Sequence, residues 1–208
     1  MKRNKTLKDK MFLNQKGHLE LILGPMFSGK TSMLLNIYRQ CTFCNLNVVV
    51  INYEGDNRYS DSMLSTHDKI MIPCILGGTI TQVIEENKEI IEKANVILIN
   101  EGQFFNDIVP TVLDFVEKQN KRVYICGLDG DFKRERIGFL LDLIPYCDEV
   151  YKLKSLCSEC KDGTHGIFSF RITGEKDQVV IGANNYKPLC RNCYYNLSFQ
   201  KENNEICQ

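Results

Sequence analysis

A glycine-rich turn near the start of the chain combines the residue types that hold a triphosphate. Its sequence, Gly24-Pro25-Met26-Phe27-Ser28-Gly29-Lys30-Thr31, meets the phosphate-loop pattern G-x-x-x-x-G-K-[ST] in full. In such a turn, backbone N–H groups point at phosphate oxygens, the lysine reaches the outer phosphates and the threonine contacts magnesium. A chance turn between a strand and a helix is the alternative, but four fixed positions seldom coincide in that context. The sequence therefore predicts a nucleoside triphosphate site with Mg²⁺.

A carboxylate follows a later hydrophobic strand pattern. The run of residues 95–99 leads into Asn100 and Glu101. In phosphate-loop enzymes such a strand normally ends in an Asp that helps to hold magnesium. Asn100 can keep a hydrogen bond to a metal-bound water, but it has no negative charge. Glu101 supplies the carboxylate, so we predict that it is the general base that accepts a proton from an attacking hydroxyl or water. The alternative is a solvated carboxylate at a strand end.

Four of the ten cysteines have the spacing of zinc ligands. Cys157 and Cys160 form one C-x-x-C pair, and Cys190 and Cys193 form another about thirty residues later. Two such pairs can set four thiolates in a tetrahedron around one Zn²⁺ ion. A closed site of this kind stabilises a fold and has no open position for catalysis. Redox disulfides are the rival interpretation, which a reducing compartment disfavours.

Other cysteines receive plainer interpretations. Cys41 and Cys44 also have metal spacing, but no matching pair lies near them, so a helix end with two thiols is favoured. Three more lie singly in or beside apolar runs and are predicted to be buried small hydrophobes, namely Cys74, Cys126 and Cys147. Cys207 is predicted to be an exposed thiol in a polar tail.

The composition fits one main domain with an appendage and excludes several classes of function. The chain has 208 residues, of which 43% are hydrophobic, so it can bury one substantial core. Its 26 Lys and Arg residues balance 26 Asp and Glu residues, which gives no support to a nucleic-acid partner. No apolar run approaches the roughly 20 residues that span a bilayer. The basic segment 1–16 has too short an apolar patch for a signal peptide, so we expect a cytoplasmic protein.

Strand and helix patterns alternate along the first two thirds of the chain. In chain order, the patterns predict a strand over 18–23, a helix over 31–38, a strand over 46–51, a helix over 79–94, a strand over 95–99, a helix from 108 and a strand over 122–126. Thr79 and Gln82 form a capping-box start for the long helix. This alternation predicts an α/β fold, a phosphate-loop (RecA-like) parallel sheet flanked by helices, with ligands at the carboxyl ends of the strands.

Several motifs recur in an order and at spacings that resemble a known family. Besides the phosphate loop and the paired C-x-x-C knuckles, they are Asp56-Asn57-Arg58-Tyr59, Thr66-His67-Asp68, Glu101-Gly102-Gln103-Phe104-Phe105, and Leu128-Asp129-Gly130 with Phe132. Over residues 17–195 the chain resembles the zinc-containing, type-II thymidine kinases of animal cytosol, bacteria and large DNA viruses. The resemblance implies transfer of the γ-phosphoryl group of ATP to the 5′-hydroxyl of thymidine or deoxyuridine, with Mg²⁺, by a homotetramer.

The resemblance also implies the residues on the ATP side. Residues 24–31 would hold the phosphates, and Glu101 matches the family's catalytic base. Arg58 matches a residue near the phosphates, where a guanidinium steadies charge that develops on the transferred group. Further contacts to MgATP are implied for Asp56, Asn57, Asn100 and Gln103.

On the nucleoside side, Met26, Leu128 and Phe132 match residues that line the thymine pocket, with the phenyl ring stacked on the base. The segment between the two cysteine pairs resembles the family's lasso loop, which closes over the nucleoside. The matching lasso residues are Gln178, Val179, Val180, Ile181, Gly182 and Tyr186. For the apolar residues, Met26 and Leu128 above all, ordinary packing is the alternative that the residue types themselves favour.

These assignments divide the chain into four parts. The predicted parts are a disordered basic tail over 1–16, a phosphate-loop kinase domain over 17–152, a zinc-ribbon-like domain with the lasso loop over 153–196, and a disordered tail over 197–208. The internal boundary lies where the alternation of strands and helices gives way to the cysteine pairs.

Three features depart from the family's pattern. Asn100 replaces the usual Asp before the catalytic Glu, and Asp131 replaces a small Thr before Phe132. The segment from the knuckle to Tyr186 is one residue shorter than usual. Because a negative charge is lost at Asn100, we expect this enzyme to need more Mg²⁺ than its relatives.

An NTPase of a different class is the runner-up interpretation. In one form, the phosphate loop hydrolyses ATP while the cysteine pairs grip nucleic acid; in another, Glu101 activates water in a small-molecule NTPase. Residues 157–193 are only mildly basic, which argues against the nucleic-acid form. Both forms are separable from the kinase by the acceptor of the phosphoryl group.

Overall fold

The computed structural model describes residues 17–55, 63–65, 71–180 and 182–206. Several features predicted from the sequence lie outside these residues. They are the tail over 1–16, Asp56, Asn57, Arg58, the motif over 66–68, Ile181 and Cys207.

Six parallel strands form the main sheet. In chain order they are β1 (His18–Leu23), β2 (Val48–Tyr53), β5 (Ile75–Gly77), β6 (Val96–Ile99), β7 (Arg122–Gly127) and β8 (Glu149–Lys152). Their spatial order across the sheet is β5-β2-β6-β7-β1-β8. Between β2 and β5, a two-stranded antiparallel pair is formed by β3 (Met63–Ser65) and β4 (Met71–Pro73). The central strands are rich in Val, Ile and Leu, as expected of a parallel sheet that is covered on both faces.

Helices cover both faces of the sheet, which confirms the predicted α/β class. They are α1 (Lys30–Phe43), α2 (Ile80–Glu86), α3 (Lys88–Lys93) and α4 (Ile108–Leu113), the last continued by a π-helical turn over Asp114–Lys118. On one face, Ile22 of β1 belongs to a core cluster with Leu34 and Leu35 of α1. On the other face, Leu21 of β1 belongs to a cluster with Val83 of α2. Because successive side chains of a strand point to opposite faces, one strand supplies both cores.

The register of the strands decides which side chains meet at the carboxyl edge. Leu23, the last residue of β1, lies opposite Gly127 of β7 and Lys152 of β8. Ile99 of β6 lies opposite Ile51 of β2 and Ile125 of β7. The loops that follow β1, β6 and β7 therefore start side by side, as the sequence pattern predicted.

The helix predicted over 79–94 is two helices that meet at Asn87. Its start is as predicted, since the Thr79 hydroxyl accepts a hydrogen bond from the backbone N–H of Gln82 at 3.1 Å. At Asn87, however, φ is −126° and the side-chain amide donates to the carbonyl of Val83 at 3.1 Å. An Asn side chain that bonds a nearby carbonyl competes with the helical ladder, so the first helix ends there.

Asp107 joins α2 to the segment that begins α4. Its carboxylate accepts hydrogen bonds from the backbone N–H groups of Ile80, at 3.1 Å, and Thr81, at 2.7 Å, and from the Thr81 hydroxyl at 2.6 Å. Burial opposes ionisation, but the bonds from Thr81 and Ile80 outweigh it and lower the pKa of Asp107. The carboxylate thus satisfies N–H groups at a helix start that have no partner within the helix.

We expect Asp107→Asn to lower the free energy of unfolding at pH 7 by about 1 to 2 kcal/mol, the usual value of a charged cap of this kind. Because folding lowers the pKa, the contribution is complete above the unfolded value of roughly 4 and is lost as the pH falls through the folded value. Urea unfolding at pH 7 and at pH 3 checks both statements, with the exposed Glu85→Gln as the control. A wild-type advantage that is equal at the two pH values contradicts the assignment.

The C-terminal part of the chain forms two small antiparallel sheets and a helix. β9 (Ser155–Leu156) pairs with β10 (His165–Gly166), and β11 (Phe168–Arg171) pairs with β12 (Tyr186–Leu189). Residues 172–185 connect the second pair, with a 3₁₀ turn over Ala183–Asn185. A separate small core lies here, formed by Cys157, Phe170, Leu189, Cys190 and Tyr194. A small C-terminal part is thereby confirmed, while the boundary between 152 and 153 stays a prediction.

Helix α5 (Arg191–Ile206) corrects one prediction. The polar composition of residues 197–208 predicted a disordered tail, but helical backbone continues to Ile206, so that prediction is wrong for 197–206. Leu197 packs against the small C-terminal core, which gives this polar segment an apolar contact in its first turns. Among the described helices, none combines the length and apolar character needed to cross a membrane.

The plainer interpretations fit the structure for Cys41, Cys44 and Cys126, and only in part for Cys74 and Cys147. Cys41 is buried in the last turn of α1, and the exposed Cys44 is the C-cap of that helix. Cys126 is buried, whereas Cys74 and Cys147 are only partly buried. The prediction of buried small hydrophobes is therefore confirmed for Cys126 and holds only in part for Cys74 and Cys147, which pack against the core clusters from positions at or beside strand ends.

Candidate active site

One cavity of about 360 Å³ lies at the carboxyl edge of the sheet, next to β1, β6 and β7. Residues predicted for three different roles meet in its wall. They are residues 26–31 of the phosphate loop, Asn100, Glu101, Leu128, Phe132, Gln178, Val179, Val180, Gly182 and Tyr186. Gly24, Pro25 and Gln103 do not line it. Elements from the sheet and from the C-terminal part therefore contribute to a single space.

The backbone of the phosphate loop is shaped by two glycines. Gly24 has φ 148°, and a Cβ atom there would lie 2.6 Å from the carbonyl oxygen of Leu153. Gly29 has φ 84° and is the N-cap of α1, where no side chain of the described residues caps the helix. The left-handed conformation at Gly29 suits glycine, and the first N–H groups of α1 remain available to an anion.

Two side chains of the loop are placed as a phosphate site requires. The hydroxyl of Ser28 is buried and has no hydrogen-bond partner among the described residues. Since a buried hydroxyl without a partner is costly, an incoming oxygen acceptor would satisfy it. The ammonium group of Lys30 lies over the loop, where it donates to the carbonyl of Pro25 at 2.7 Å. These groups fit the triphosphate that the motif predicts.

Asn100 lies in a buried hydrogen-bond network that the strand register creates. Its Nδ2 group donates to Oδ1 of Asn52 at 2.7 Å, and both residues are almost fully buried. Its own Oδ1 accepts from the Cys126 thiol at 2.9 Å and faces the Thr31 hydroxyl at 3.5 Å. Oxygen atoms of a Thr and an amide suit Mg²⁺, which prefers hard oxygen ligands. The residues present therefore fit a magnesium site of low charge beside the phosphate loop.

Glu101 has an unusual backbone conformation. Its φ and ψ of 54° and 42° are left-handed, and it precedes the 3₁₀ turn over Gly102–Phe104. Such a conformation is uncommon for a residue with a side chain, and strained residues of this kind cluster at active sites. The Oε2 atom accepts a hydrogen bond from Nε2 of Gln103 at 2.7 Å, while the residue remains part of the cavity wall.

Gln103 connects Glu101 to the loop that follows β7. This side chain is almost fully buried, and its Oε1 atom accepts a hydrogen bond from the backbone N–H of Leu128 at 3.0 Å. One amide thus contacts the predicted base and a predicted pocket residue at the same time. Its assigned contact to ATP stays a prediction, since Gln103 lies behind the cavity wall.

Phe132 is backed by the buried guanidinium of Arg171. The centre of that group lies 3.8 Å from the centroid of the Phe132 ring, and only 1% of Arg171 is exposed. This is a close cation–π contact in a desolvated setting. Next to Arg171, the Ser169 hydroxyl accepts a hydrogen bond from the backbone N–H of Met26 at 3.0 Å, which ties the phosphate loop to β11.

Arg171 also organises the lasso segment, residues 172–185. Its guanidinium donates to the carbonyl groups of Glu175, Asp177 and Gln178 and to the hydroxyl of Tyr186. The Tyr186 hydroxyl in turn contacts the backbone of Val180. These bonds fold the segment around one buried side chain.

Asp131, which departs from the family's pattern, attaches the lasso segment to the turn that carries Phe132. Its Oδ2 atom accepts a hydrogen bond from Nε2 of Gln178 at 3.0 Å. The same amide donates to the carbonyl of Arg136 at 3.1 Å. Asp131 is nearly buried, so these bonds are shielded from water.

Several residues of the site were missed by sequence reasoning. Asn52, Cys126, Ser169 and Arg171 all lie in strands of ordinary composition, and the first three carry no mark of function in the sequence. Arg171 offered one signal, because it directly follows the uncharged residues 168–170. A buried Arg needs several hydrogen-bond acceptors, so its position indicates a structured environment around it.

The four cysteines predicted to bind zinc lie together. Their sulfur atoms are all within 4.8 Å of one another, and the Sγ atom of Cys160 lies 3.8 Å from that of Cys190 and 3.5 Å from that of Cys193. With Zn–S bonds of 2.3 Å, the edges of a tetrahedron of sulfurs measure about 3.8 Å. The cluster thus has the donor type and spacing that fit one Zn²⁺ ion.

The backbone around Cys157 favours its thiolate. Burial raises its pKa, but hydrogen bonds from the backbone N–H groups of Cys160, Cys190 and Glu159 outweigh this and lower the pKa of Cys157 to about 6. One of these bonds joins the N–H of Cys190 to the sulfur of Cys157 at 3.3 Å. A thiolate that is stabilised in this way is ready to bind a metal ion.

Comparisons with known proteins agree with this geometry. The family model described as "Thymidine kinase" matches residues 17–194. The chain is 34% identical over 200 residues to "Thymidine kinase, cytosolic" of Bos taurus, which covers 92% of this chain and 81% of that protein. It is 38% identical over 183 residues to "Thymidine kinase" of Vaccinia virus (strain Western Reserve), covering 86% and 97%. With "Thymidine kinase" of Oryza sativa subsp. japonica it shares 36% over 181 residues, 86% of this chain but 66% of the rice protein.

The match covers the phosphate loop, the strand end at Glu101, the loop of Phe132 and the cysteine cluster. The chain belongs to the thymidine kinase family.

Proposed function

We propose that this protein transfers the γ-phosphoryl group of ATP to the 5′-hydroxyl of thymidine, and also of deoxyuridine. The observation that carries the proposal is the shared cavity, in which the phosphate loop, Glu101 and the Phe132 pocket lie in one wall. A phosphoryl transfer needs the donor, the base and the acceptor in one water-poor space, and this arrangement supplies a place for each.

On the donor side, the N–H groups at the start of α1, the Ser28 hydroxyl and Lys30 would hold the phosphates. Thr31 and Asn100 would hold Mg²⁺, which neutralises phosphate charge when it is bound. The contacts of Asp56 and Asn57 and the catalytic role of Arg58 are part of the same proposal and rest on the family resemblance. They concern residues outside the described part of the chain.

On the acceptor side, Glu101 accepts the proton of the 5′-hydroxyl as that oxygen attacks the γ-phosphorus. The base of the nucleoside lies against the ring of Phe132, between Met26 and Leu128. Residues 178–182 of the lasso segment, with Tyr186, cover it. The support for this arrangement is that the described members of this set line the cavity, whereas Ile181 lies outside the described residues.

The proposal is tested by offering one donor and several acceptors. Purified protein is incubated with MgATP and with thymidine, deoxycytidine, deoxyguanosine or no nucleoside, and the products are separated. We expect one dTMP for each ADP with thymidine and little ADP without an acceptor. Phosphate release that is the same with every nucleoside and with none contradicts the kinase assignment and supports the NTPase. Salt-dependent DNA binding together with that result supports its nucleic-acid form.

The amide at Asn100 predicts that this enzyme holds Mg²⁺ weakly and needs more Mg²⁺ for half-maximal activity than a relative with an Asp at this position. We expect Asn100→Asp to lower the Mg²⁺ concentration at half-maximal activity by roughly five- to tenfold. The substitution adds a negative charge whose attraction to a partly exposed cation is worth about 1 kcal/mol. The buried Asn52 accommodates the new carboxylate by presenting its own Nδ2 group. The exposed Asn36→Asp is the matched control. An unchanged midpoint in Asn100→Asp contradicts the role of Asn100 in holding magnesium.

The homotetramer and the cytoplasmic location stay predictions. The name of the bovine relative, "Thymidine kinase, cytosolic", supports the location. Light scattering of the purified protein measures its mass in solution, and a mass close to one chain of 24.0 kDa contradicts the tetramer.

A further inference from the structure

The turn that carries Phe132 is closed by one carboxylate. Oδ1 of Asp131 accepts hydrogen bonds from the backbone N–H groups of Lys133 and Glu135, each at 2.8 Å. The backbone N–H of Asp131 donates to the carbonyl of Glu135 at 2.9 Å. These bonds define the shape of residues 131–135, but they do not attach the turn to a second element. Its position depends on contacts with neighbouring parts of the chain.

One such contact comes from Tyr194, in the first turn of α5. The hydroxyl of Tyr194 donates a hydrogen bond to the backbone carbonyl of Phe132 at 2.5 Å. Tyr194 follows Cys193 directly, and its backbone N–H donates to the carbonyl of Cys190 at 2.9 Å. The position of Tyr194 in the structure is therefore fixed by two of the four clustered cysteines, Cys190 and Cys193.

The ring of Tyr194 is fixed by its surroundings. It is 6% exposed and contacts Phe168 and Phe170 edge-on, with ring centroids 5.2 and 5.7 Å away. Both phenylalanines belong to β11, which also carries the Ser169 and Arg171 side chains of the cavity region. Because the Tyr194 ring is packed on two sides, it does not shift when the turn over 131–135 shifts. Its hydroxyl therefore has a fixed position relative to β11.

Arg134 adds a second contact between the turn and the same aromatic group. Its guanidinium carbon lies 4.7 Å from the centroid of the Tyr194 ring and 5.5 Å from that of Phe168. Its φ is 69°, a conformation that a residue with a side chain adopts only when its neighbours require it. The turn is therefore held on the aromatic group by a hydrogen bond and by a cation–π contact.

We propose that Tyr194 is a positioning residue for the nucleoside. Its hydroxyl holds the carbonyl of Phe132 and so sets the plane of the ring against which the base lies. The inference rests on the proposed function, since it concerns the base pocket of the same site. The proposal also gives the cysteine cluster a role beyond folding. Because Cys190 and Cys193 fix the position of Tyr194, the part of the chain that holds the cluster affects how tightly thymidine binds.

The test removes one hydroxyl group. Tyr194→Phe keeps the ring, its edge contacts and the surface for Arg134, but leaves the Phe132 carbonyl without this donor. We expect both the Kd for thymidine, measured by calorimetry without ATP, and the KM for thymidine to rise about fivefold, the usual scale of one hydrogen bond. The KM for ATP, the bound zinc and kcat stay within twofold of wild type. Tyr195→Phe is the matched control, because the neighbouring Tyr195 is 69% exposed.

A double-mutant cycle separates positioning from general destabilisation. If Tyr194 acts through Phe132, the fivefold effect of Tyr194→Phe disappears in a Phe132→Ala background. An effect of equal size in that background overturns the inference, as does wild-type thymidine affinity in Tyr194→Phe. Equal losses for thymidine and ATP also overturn it, since they indicate a purely structural role. If the wild-type protein itself binds no thymidine, the proposed function is overturned together with the inference. If the wild type binds thymidine and Tyr194→Phe binds it equally well, only the inference is overturned.

Discussion

We expect Glu101→Gln to lower kcat for thymidine phosphorylation by about 10²- to 10⁴-fold, the usual contribution of a general base. Glutamine has the same shape and can still bond Gln103, so the left-handed backbone and the contact at 2.7 Å are kept. What is lost is the proton acceptor that the proposed mechanism assigns to Glu101. Steady-state kinetics with thymidine and MgATP measure the loss, and the KM values for both substrates stay within a few-fold of wild type.

The control for Glu101→Gln is the same substitution at the exposed Glu117, which lies outside the cavity wall. That variant keeps the kcat of wild type. A Glu101→Gln enzyme that retains more than a tenth of wild-type kcat contradicts the role of Glu101 as base. In that case the transfer depends on positioning and charge stabilisation alone, which phosphoryl transfer permits in principle.

The second large effect concerns the cysteine cluster. We expect Cys193→Ser to lose bound zinc and to unfold the small C-terminal core, because structural zinc contributes on the order of 10 kcal/mol to units of this size. That core holds β11 and β12, and with them Ser169, Arg171 and Tyr186 of the cavity region. Thymidine phosphorylation is therefore expected to fall below detection.

Metal analysis and thermal unfolding, each with and without a chelator, measure the effect of Cys193→Ser. The exposed Cys44→Ser is the matched control, since Cys44 caps α1 far from the cluster in sequence and is absent from it. Full activity and unchanged unfolding of Cys193→Ser show that the cluster is dispensable and contradict the prediction. Zinc retained at the wild-type level contradicts the assignment of Cys193 as a ligand.

The main sheet could be predicted because its signals are local. The strand before the phosphate loop agrees to the residue with β1 at His18–Leu23, since an apolar run meets a glycine turn there. The single helix over 79–94 could not be divided from the pattern, because apolar residues recur at helical spacing on both sides of Asn87. The side chain of Asn87 bonds the carbonyl of Val83 where α2 ends, and periodicity does not show whether a polar side chain will compete with the helix in this way.

Some residues of the site could also be predicted from local signals and others could not. Glu101 and the C-x-x-C pairs lie in short motifs whose residue types indicate their chemistry. Asn52 acts at Asn100 only because Ile51 lies opposite Ile99 in the sheet, and that register is a property of the folded chain. The burial of Arg171 likewise depends on how residues 175–178 fold back over β11. Pairings between distant segments are what sequence patterns alone do not determine.

The position of β1 in the sheet has a consequence for synthesis of the protein. β1 precedes both of its neighbours in the chain, since β7 begins at Arg122 and β8 at Glu149. At synthesis rates of about 5 to 20 residues per second, this strand waits roughly 5 to 20 s for its first partner. Until then both of its edges can pair with other chains. We therefore expect nascent or truncated chains that end before residue 149 to aggregate or to bind chaperones, although they already contain the whole phosphate loop.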